Sequence, residues 1–150
     1  MSGALEWDEV AARFAAAQNW WVSTSSSDAG PQAVPVWGVA LDGVLAFYGE
    51  ATSRRSRNLA ADPRAVLHLE SGSEVLIVHG LAHDVGPAHT HPRACALYAA
   101  KYTHPTDARW LPDAPGMADV RLWRVEPQRA MTWTLYGDDS LQTRRWTAAS

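Results

Sequence analysis

A short stretch of the chain, Thr52-Ser-Arg-Arg-Ser-Arg-Asn58, concentrates hydroxyl and guanidinium side chains. It follows a predicted strand and opens a predicted helix, whose first N–H groups point outward and carry partial positive charge. Ser53 can cap this helix, and the arginines after it have planar charged groups that suit phosphate oxygens. The stretch therefore indicates an anion site, with Arg55 as its exposed central phosphate ligand. The alternative is a serine cap followed by solvated arginines on a surface helix.

A second stretch, Pro35-Val-Trp-Gly38, could receive a flat ligand. Glycine and proline around Trp37 in a predicted strand let a planar molecule approach the backbone closely. The alternative is that the indole simply fills the core. Pro35 also predicts an edge strand or a bulge, because proline cannot donate to the ladder, and such irregularities often lie beside binding sites.

The histidines and the cysteine indicate no further chemistry. His89 and His91 are two residues apart, and His79 and His83 lie four apart in a predicted strand, where that spacing separates them along the chain. No metal site is predicted, since neither an HExxH motif nor a set of Cys and His ligands occurs. Cys95 is predicted to be a small core residue on a helix, and a single cysteine excludes a disulfide within the chain.

Length and composition predict one globular domain over residues 1–150. Hydrophobic residues make up 47% of the chain and charged residues 19%, with a net charge of −3. This charge provides no general attraction to nucleic acid or to an anionic membrane. The acidic start, with Glu6, Asp8 and Glu9, is unlike a signal peptide, and no apolar run is long enough to cross a bilayer. We therefore expect a soluble, cytoplasmic protein, whose eight tryptophans fit a dimer interface or an aromatic cofactor.

Hydrophobic periodicity predicts a chain made mostly of strands. Helices are predicted over 7–17, 52–62 and 90–102, with a loop over 104–119. Strands are predicted over 20–24, 33–41, 44–49, 65–70, 75–85, 120–125 and 130–135, with a last one near Trp146. Asp42-Gly43 is a hairpin signal. The short turns require antiparallel pairing, and a closed or nearly closed barrel would protect the edges of the sheet.

Five runs follow one another in an order and spacing that are typical of one family. They are Asp28-Ala-Gly-Pro-Gln-Ala-Val-Pro-Val-Trp37, Thr52-Ser-Arg-Arg-Ser-Arg-Asn-Leu-Ala-Ala-Asp-Pro-Arg-Ala65, Leu76-Ile-Val-His-Gly-Leu-Ala82, Tyr98-Ala-Ala-Lys-Tyr102 and Thr143-Arg-Arg-Trp146. Together they resemble the pyridoxamine phosphate oxidase-like, flavin-binding split barrels. With the strand order, the resemblance implies a mainly β (α+β) fold, an antiparallel split barrel of six or seven strands with flanking helices.

The resemblance also implies a homodimer with two cofactors at the subunit interface. The cofactor-binding positions that it implies are Val36, Trp37, Thr52, Ser53, Arg55, Arg57, Asn58, Arg145 and Trp146. The first two would face the ring of the cofactor, and the next five would lie at its phosphate end. The last two would close the site from the other subunit. No residue is assigned as a catalytic acid or base.

The choice of cofactor depends on departures from the true pyridoxamine phosphate oxidases. Those enzymes have an arginine in the strand where Val34, Pro35 and Val36 stand here, and their C-terminal arginine pattern is absent. The Pro-Val-Trp strand and the terminal Arg-Arg-Trp resemble instead the actinobacterial branch that uses the deazaflavin coenzyme F-420. Four arginines also offer more charge than one phosphate needs, which favours the phosphodiester and oligoglutamate tail of F-420; they are Arg54, Arg55, Arg57 and Arg64.

We therefore expect an F-420-dependent reductase that passes a hydride between the reduced deazaflavin and a small organic substrate. The alternatives are an FMN-dependent oxidoreductase on the same scaffold and a non-catalytic protein that binds flavin, deazaflavin or haem. Fold alone does not decide among these functions.

Overall fold

A computed structural model describes residues 3–150, which form a mainly antiparallel sheet with three α-helices. The helices are α1 (Trp7–Ala16), α2 (Arg54–Ala61) and α3 (Pro92–Lys101), with short 3-10 turns at Ala88–Thr90 and Asp107–Trp110. The strands are β1 (Trp20–Thr24), β2 (Gln32–Val36), β3 (Gly38–Leu41), β4 (Val44–Glu50), β5 (Arg64–His68), β6 (Glu74–Pro87), β7 (Val120–Thr134) and β8 (Arg144–Thr147). None of the helices in this part of the chain is long and apolar enough to cross a membrane.

The two edge strands of the sheet are neighbours in the chain. The strand order is β2-β1-β5-β6-β7-β4-β3, with β8 paired to β7, and every pair is antiparallel. Strand β2 lies at one end of this order and β3 at the other, yet only Trp37 separates them. The sheet must therefore curl until its edges meet, which closes it into a barrel. We call Trp37 and Gly38, where β2 passes into β3, the seam.

The mainly β fold class is confirmed, but two strand predictions are wrong in detail. The strand predicted over 33–41 is split at Trp37 into β2 and β3. The strands predicted over 120–125 and 130–135 are one long strand, β7. Its pairing with β6 shifts register between His79 and Gly80, and this irregularity accommodates Pro127 without ending the strand. Over residues 3–150 the sheet has eight strands, as many as the sequence segments predicted and more than the six or seven of the barrel that the resemblance implies.

Local chemistry fixes several element boundaries. Asp42 and Gly43 form the predicted hairpin turn with φ of 51° and 79°, the left-handed values that a tight two-residue turn requires. Ser53 caps α2, because its Oγ accepts a hydrogen bond from the Ser56 N–H at 3.1 Å. Helix α3 begins at Pro92 rather than residue 90, since the preceding residues form a 3-10 turn.

The core has two parts, one inside the barrel and one under α3. Inside the barrel, Phe14 of α1 packs edge-to-face on Trp20, with ring centroids 5.1 Å apart. Under α3, Tyr98 and Tyr102 pack with Val39 of β3. Cys95 is buried, as predicted, and has no disulfide partner.

Replacing Gly38 with alanine tests the tight packing at the seam. A Cβ there would lie 2.3 Å from a ring carbon of Trp20, whose side chain is fully buried. We expect Gly38→Ala to lower the free energy of unfolding by about 1–3 kcal/mol, because the ring cannot move without disturbing the core. Gly72→Ala is the control, since no atom lies within 4 Å of its Cβ position. Equal melting temperatures for the two variants would contradict this account of the seam.

Candidate functional site

A cleft of about 510 Å³ opens beside the seam. Its apolar wall is formed by Pro35, Val36, Trp37, Trp110, Met117 and Val120. Its polar groups come from Asn19, Tyr48, Glu50, Ser53 and Arg55, and the backbone of Gly49 completes it. A mostly apolar lining with a few polar groups is typical of sites for small molecules.

A second cavity, of about 410 Å³, lies between α1 and the far end of β7. Its arginines are already engaged within the chain, and the Arg144 guanidinium makes a two-pronged bond to the Glu9 carboxylate, at 2.7 Å for its shortest contacts. Arg13 donates to the Thr132 hydroxyl at 2.8 Å. The cleft beside the seam is therefore the better candidate site.

Arg55 lies against the barrel rather than in solvent, so the prediction of an exposed side chain is wrong. Its Nη2 donates to the Tyr48 carbonyl at 3.2 Å, and its guanidinium lies 5.8 Å from the centroid of the Phe47 ring. Gly49 makes room for it, since a Cβ there would lie 2.0 Å from Nη2. Burial lowers the pKa of Arg55, and the nearby Glu50 carboxylate opposes that change. The Arg55 Nε is buried without a hydrogen-bond partner among residues 3–150.

The N-terminus of α2 adds hydrogen-bond donors beside Arg55. The Ser56 hydroxyl donates to the Glu50 carbonyl at 2.7 Å, which joins the helix to the end of β4. The first N–H groups of the helix have no acceptor within it and carry partial positive charge. Ser53 and Arg55 lie at the same end of the cleft. This end can therefore hold an anionic group.

Three side chains at the end of α3 hold the backbone of the seam. The Tyr98 hydroxyl donates to the Trp37 carbonyl at 3.0 Å, and the Lys101 ammonium donates to the Gly38 carbonyl at 2.6 Å. The Gly38 N–H donates to the Tyr102 hydroxyl at 2.9 Å. Because the three residues have i, i+3 and i+4 spacing, they share one helix face. Their bonds satisfy backbone groups that have no partner strand.

Tyr102 also orients the indole of Trp37. Its ring stacks on the Tyr102 ring with centroids 4.2 Å apart and planes 11° apart. The Lys101 Nζ lies 5.3 Å from the centroid of the Trp20 ring and 5.2 Å from that of Tyr102. Burial lowers the pKa of Lys101 to about 8 and raises the pKa of Tyr102 to about 12, so the phenol keeps its proton at neutral pH. The cleft thus has a flat aromatic wall in a defined orientation.

The family model for pyridoxamine 5'-phosphate oxidase matches residues 7–134 of this chain. The chain belongs to the pyridoxamine 5'-phosphate oxidase family. No protein of curated function matches the sequence. The family assignment agrees with the resemblance seen in the order of the sequence motifs.

Solved structures related to this pyridoxamine 5'-phosphate oxidase family member share its split-barrel fold. A conserved hypothetical protein from Mycobacterium tuberculosis aligns with a TM-score of 0.72 and 21% identity over 87% of this chain and 86% of its own. An F-420 reductase aligns with a TM-score of 0.63 and 21% identity, over 79% and 93%. A heme binding protein from Mycobacterium smegmatis aligns with a TM-score of 0.70 and 19% identity, over 98% and 59%. At these identities the likeness establishes the fold.

The structure brings four of the nine predicted cofactor-binding residues together in the cleft of this family member: Val36, Trp37, Ser53 and Arg55. Thr52 is exposed and lines an adjoining cavity. Arg57 is exposed on the far side of α2, where it lines a groove with the serine-rich turn at 25–27. Asn58 is buried, and its amide donates to the Thr24 hydroxyl at 3.0 Å, so it joins α2 to β1.

Arg145 and Trp146 lie outside the cleft of their own chain. They are adjacent in β8 and therefore face opposite sides of the sheet. Trp146 packs against the barrel core, with its ring centroid 4.8 Å from that of Trp7. Arg145 is exposed on the outer face.

The sequence analysis expected four arginines to favour the charged tail of F-420, but two of them already face carboxylates. The Arg64 guanidinium bonds to Asp62 at 2.7 Å, and this bond lowers the pKa of Asp62 to about 2. The Arg54 guanidinium lies 3.9 Å from the Asp28 carboxylate. Arg57 has no carboxylate partner among residues 3–150. The positive charge available around the cleft is thus smaller than the sequence indicated.

Sequence reasoning missed several residues of the cleft, among them Tyr48, Trp110 and Met117. The last two lie in the proline-rich segment that was predicted only as a loop. The Tyr48 hydroxyl donates a short hydrogen bond to the Trp110 carbonyl, which fixes this segment beside β4. A tryptophan among prolines was the signal available in the sequence.

Within residues 3–150, no group of three or more His, Cys, Asp or Glu side chains is placed to hold a metal ion.

Changing Tyr102 to phenylalanine tests how the seam is held. The substitution keeps the ring that stacks on Trp37 but removes the acceptor of the buried Gly38 N–H. We expect Tyr102→Phe to lower the free energy of unfolding by about 1–3 kcal/mol, the cost of leaving a buried polar group unpaired. Tyr136→Phe is the control, because that side chain is 72% exposed. Denaturant unfolding curves that show equal losses for the two variants would contradict the role of Tyr102.

Proposed function

We propose that this family member binds coenzyme F-420 in the cleft and reduces a small organic molecule. One observation carries the proposal: a flat aromatic wall and a half-buried arginine with an unpartnered Nε lie in the same cleft. A cofactor with a planar ring system and a phosphate group has two parts that match these features. Arg55 supplies the fixed charge, and the N–H groups at the start of α2 add neutral donors.

The residues of the cleft suggest how the cofactor would be held. Val36 and Trp37 would contact the ring, while Ser53 and Arg55 would bind the phosphate. Reduced F-420, when bound, supplies a hydride. The protein would orient the ring and exclude water from it, and the largely buried Val36 and the side chain of Met117 suit that task.

FMN is the second candidate cofactor, and the pairing of two arginines favours it. Arg54 and Arg64 face Asp28 and Asp62, so Arg55 alone could serve the single phosphate of FMN. The similarity to a structure named F-420 reductase supports F-420 instead. The two cofactors can be compared directly by titration.

The outer face of the sheet supports a homodimer. One row of cross-strand neighbours runs across it, consisting of Pro35, Trp21, His68, Ile77, Met131 and Arg145. Residues next to this row in the chain, such as Val22, Leu67 and Val78, are buried in the barrel, so the row itself faces outward. Its middle is apolar and half-buried, which suits contact with a second copy of the chain.

A symmetric pairing of this face would complete the cleft. If the two-fold axis crosses the middle of the row at right angles to it, the Arg145 end of one row meets the Pro35 end of the other. Pro35 lines the cleft, so Arg145 would reach the cleft of the second copy. Trp146 would stay in the core of its own barrel.

Removing the charge of Arg55 tests the cofactor site. Absorbance titrations of the purified protein with F-420 and with FMN should show tighter binding of F-420. Arg55→Ala should weaken binding about ten- to a hundredfold, because a charge-assisted bond to phosphate contributes roughly 1.5–3 kcal/mol. Arg55→Lys should recover part of the lost affinity, since lysine keeps the positive charge but lacks the planar guanidinium group.

The controls separate binding from stability. Arg55→Ala also removes packing against Phe47 and Gly49, so we expect a lower melting temperature, and affinities should be measured where every variant is folded. Arg93→Ala removes an exposed arginine that pairs with Asp42, at the hairpin away from the cleft, and should bind cofactor normally. Unchanged affinity in Arg55→Ala would refute the phosphate site. Tighter binding of FMN than of F-420 at equal salt would reverse the choice of cofactor.

A charged residue in the middle of this row of outward-facing side chains tests the dimer. Light scattering should give about twice the 16.4 kDa mass of one chain for the unchanged protein. Ile77→Lys should shift the protein to monomer, because the new ammonium would be buried unpaired in the interface. Val44→Lys, at an exposed apolar position in the β3–β4 hairpin, should leave the dimer intact. A monomer at micromolar concentration for the unchanged protein would rule out the shared site.

A further inference from the structure

Trp110 is a large apolar side chain that stays exposed at the edge of the cleft. Its relative exposure is 51%, and it lines the cleft together with Tyr48 and Met117. The other large apolar side chains with comparable exposure among residues 3–150 do not line the cleft: Val44, Leu135, Tyr136 and Leu141. An exposed indole inside a binding cleft is a surface available to a ligand.

The backbone that carries Trp110 is held in place. Its carbonyl accepts the hydrogen bond from the Tyr48 hydroxyl. The 3-10 turn that ends at Trp110 begins at Asp107, a buried residue whose carboxylate accepts from the His104 N–H at 3.0 Å. The indole is therefore exposed although the backbone that carries it is held by hydrogen bonds.

A cation accompanies this indole. The Arg109 guanidinium lies 5.0 Å from the centroid of the Trp110 ring, within the range of cation–π attraction. Arg109 is exposed and has no carboxylate partner among residues 3–150. Glu50, the acidic residue that lines the cleft, interacts electrostatically with Arg55. An aromatic face and an available positive charge thus lie side by side.

We propose that Trp110 and Arg109 form the substrate platform of the cleft, and that its substrate is a planar, conjugated small molecule with an anionic oxygen. The proposal rests on the proposed function, because it takes the cofactor ring to lie against Trp37. A planar substrate stacks on the indole, and its anionic oxygen pairs with the guanidinium. A saturated acid of similar size has the charge but cannot stack, so the platform discriminates by shape.

A redox-inert probe tests the platform without turnover. Calorimetry with 2-naphthoate measures binding to the protein alone and to the protein saturated with oxidised F-420. Trp110→Leu should weaken 2-naphthoate about tenfold and leave the affinity for F-420 within about twofold. Arg109→Gln should weaken 2-naphthoate but not neutral 2-naphthol. Tyr136→Leu, which removes an exposed aromatic ring at the opposite end of β7, should change neither.

The outcomes distinguish this proposal from the proposed function. Unchanged 2-naphthoate affinity in Trp110→Leu would overturn the platform, as would equal affinity for cyclohexanecarboxylate. Displacement of the probe by F-420 would also overturn it, because the probe would then occupy the ring site. If the protein binds neither F-420 nor FMN but still binds 2-naphthoate through Trp110, the platform stands and the cofactor assignment fails.

Discussion

The barrel depends on how the backbone at the seam is satisfied. A sheet whose two edges are joined by one residue has backbone groups there that no neighbouring strand can pair. Tyr98, Lys101 and Tyr102 supply the missing partners to Trp37 and Gly38. Each buried group left unpaired would cost about 1–3 kcal/mol, which is large compared with the total stability of a small domain. The α3 side chains that close the barrel therefore also orient the aromatic wall of the cleft.

Tyr48 connects the remaining parts of the site. Its backbone carbonyl accepts from Arg55, and its hydroxyl donates to the Trp110 carbonyl. Its ring packs edge-to-face on Tyr98, with centroids 5.0 Å apart. One residue of β4 thus joins Arg55, the loop that carries the exposed indole, and α3. Strand β4 and helix α3 therefore set the geometry of the cleft, and the loop that carries Trp110 is attached to β4 by a hydrogen bond.

Local signals in the sequence predicted local structure well. The Asp42-Gly43 hairpin and the Ser53 cap follow from the conformations and hydrogen bonds of adjacent residues, and the order of the motifs was enough to indicate the family. The break at Trp37 could not be predicted, because its stabilising partner Tyr102 is distant in sequence. The burial of Arg55 depends on the space above Gly49 in another element. Such contacts exist only in the folded chain.

The position of β4 has a consequence for the order of folding. Strands β3 and β4 form a local hairpin, but β4 joins the sheet through β7, where Phe47 pairs with Trp123. Contacts so distant in sequence form late, because the intervening chain must first lose its freedom. We therefore expect the hairpin to join the sheet only when nearly the whole chain is present, and the barrel to close last. The cleft is complete only in the closed barrel, so we expect any molecule that binds there to stabilise the closed barrel.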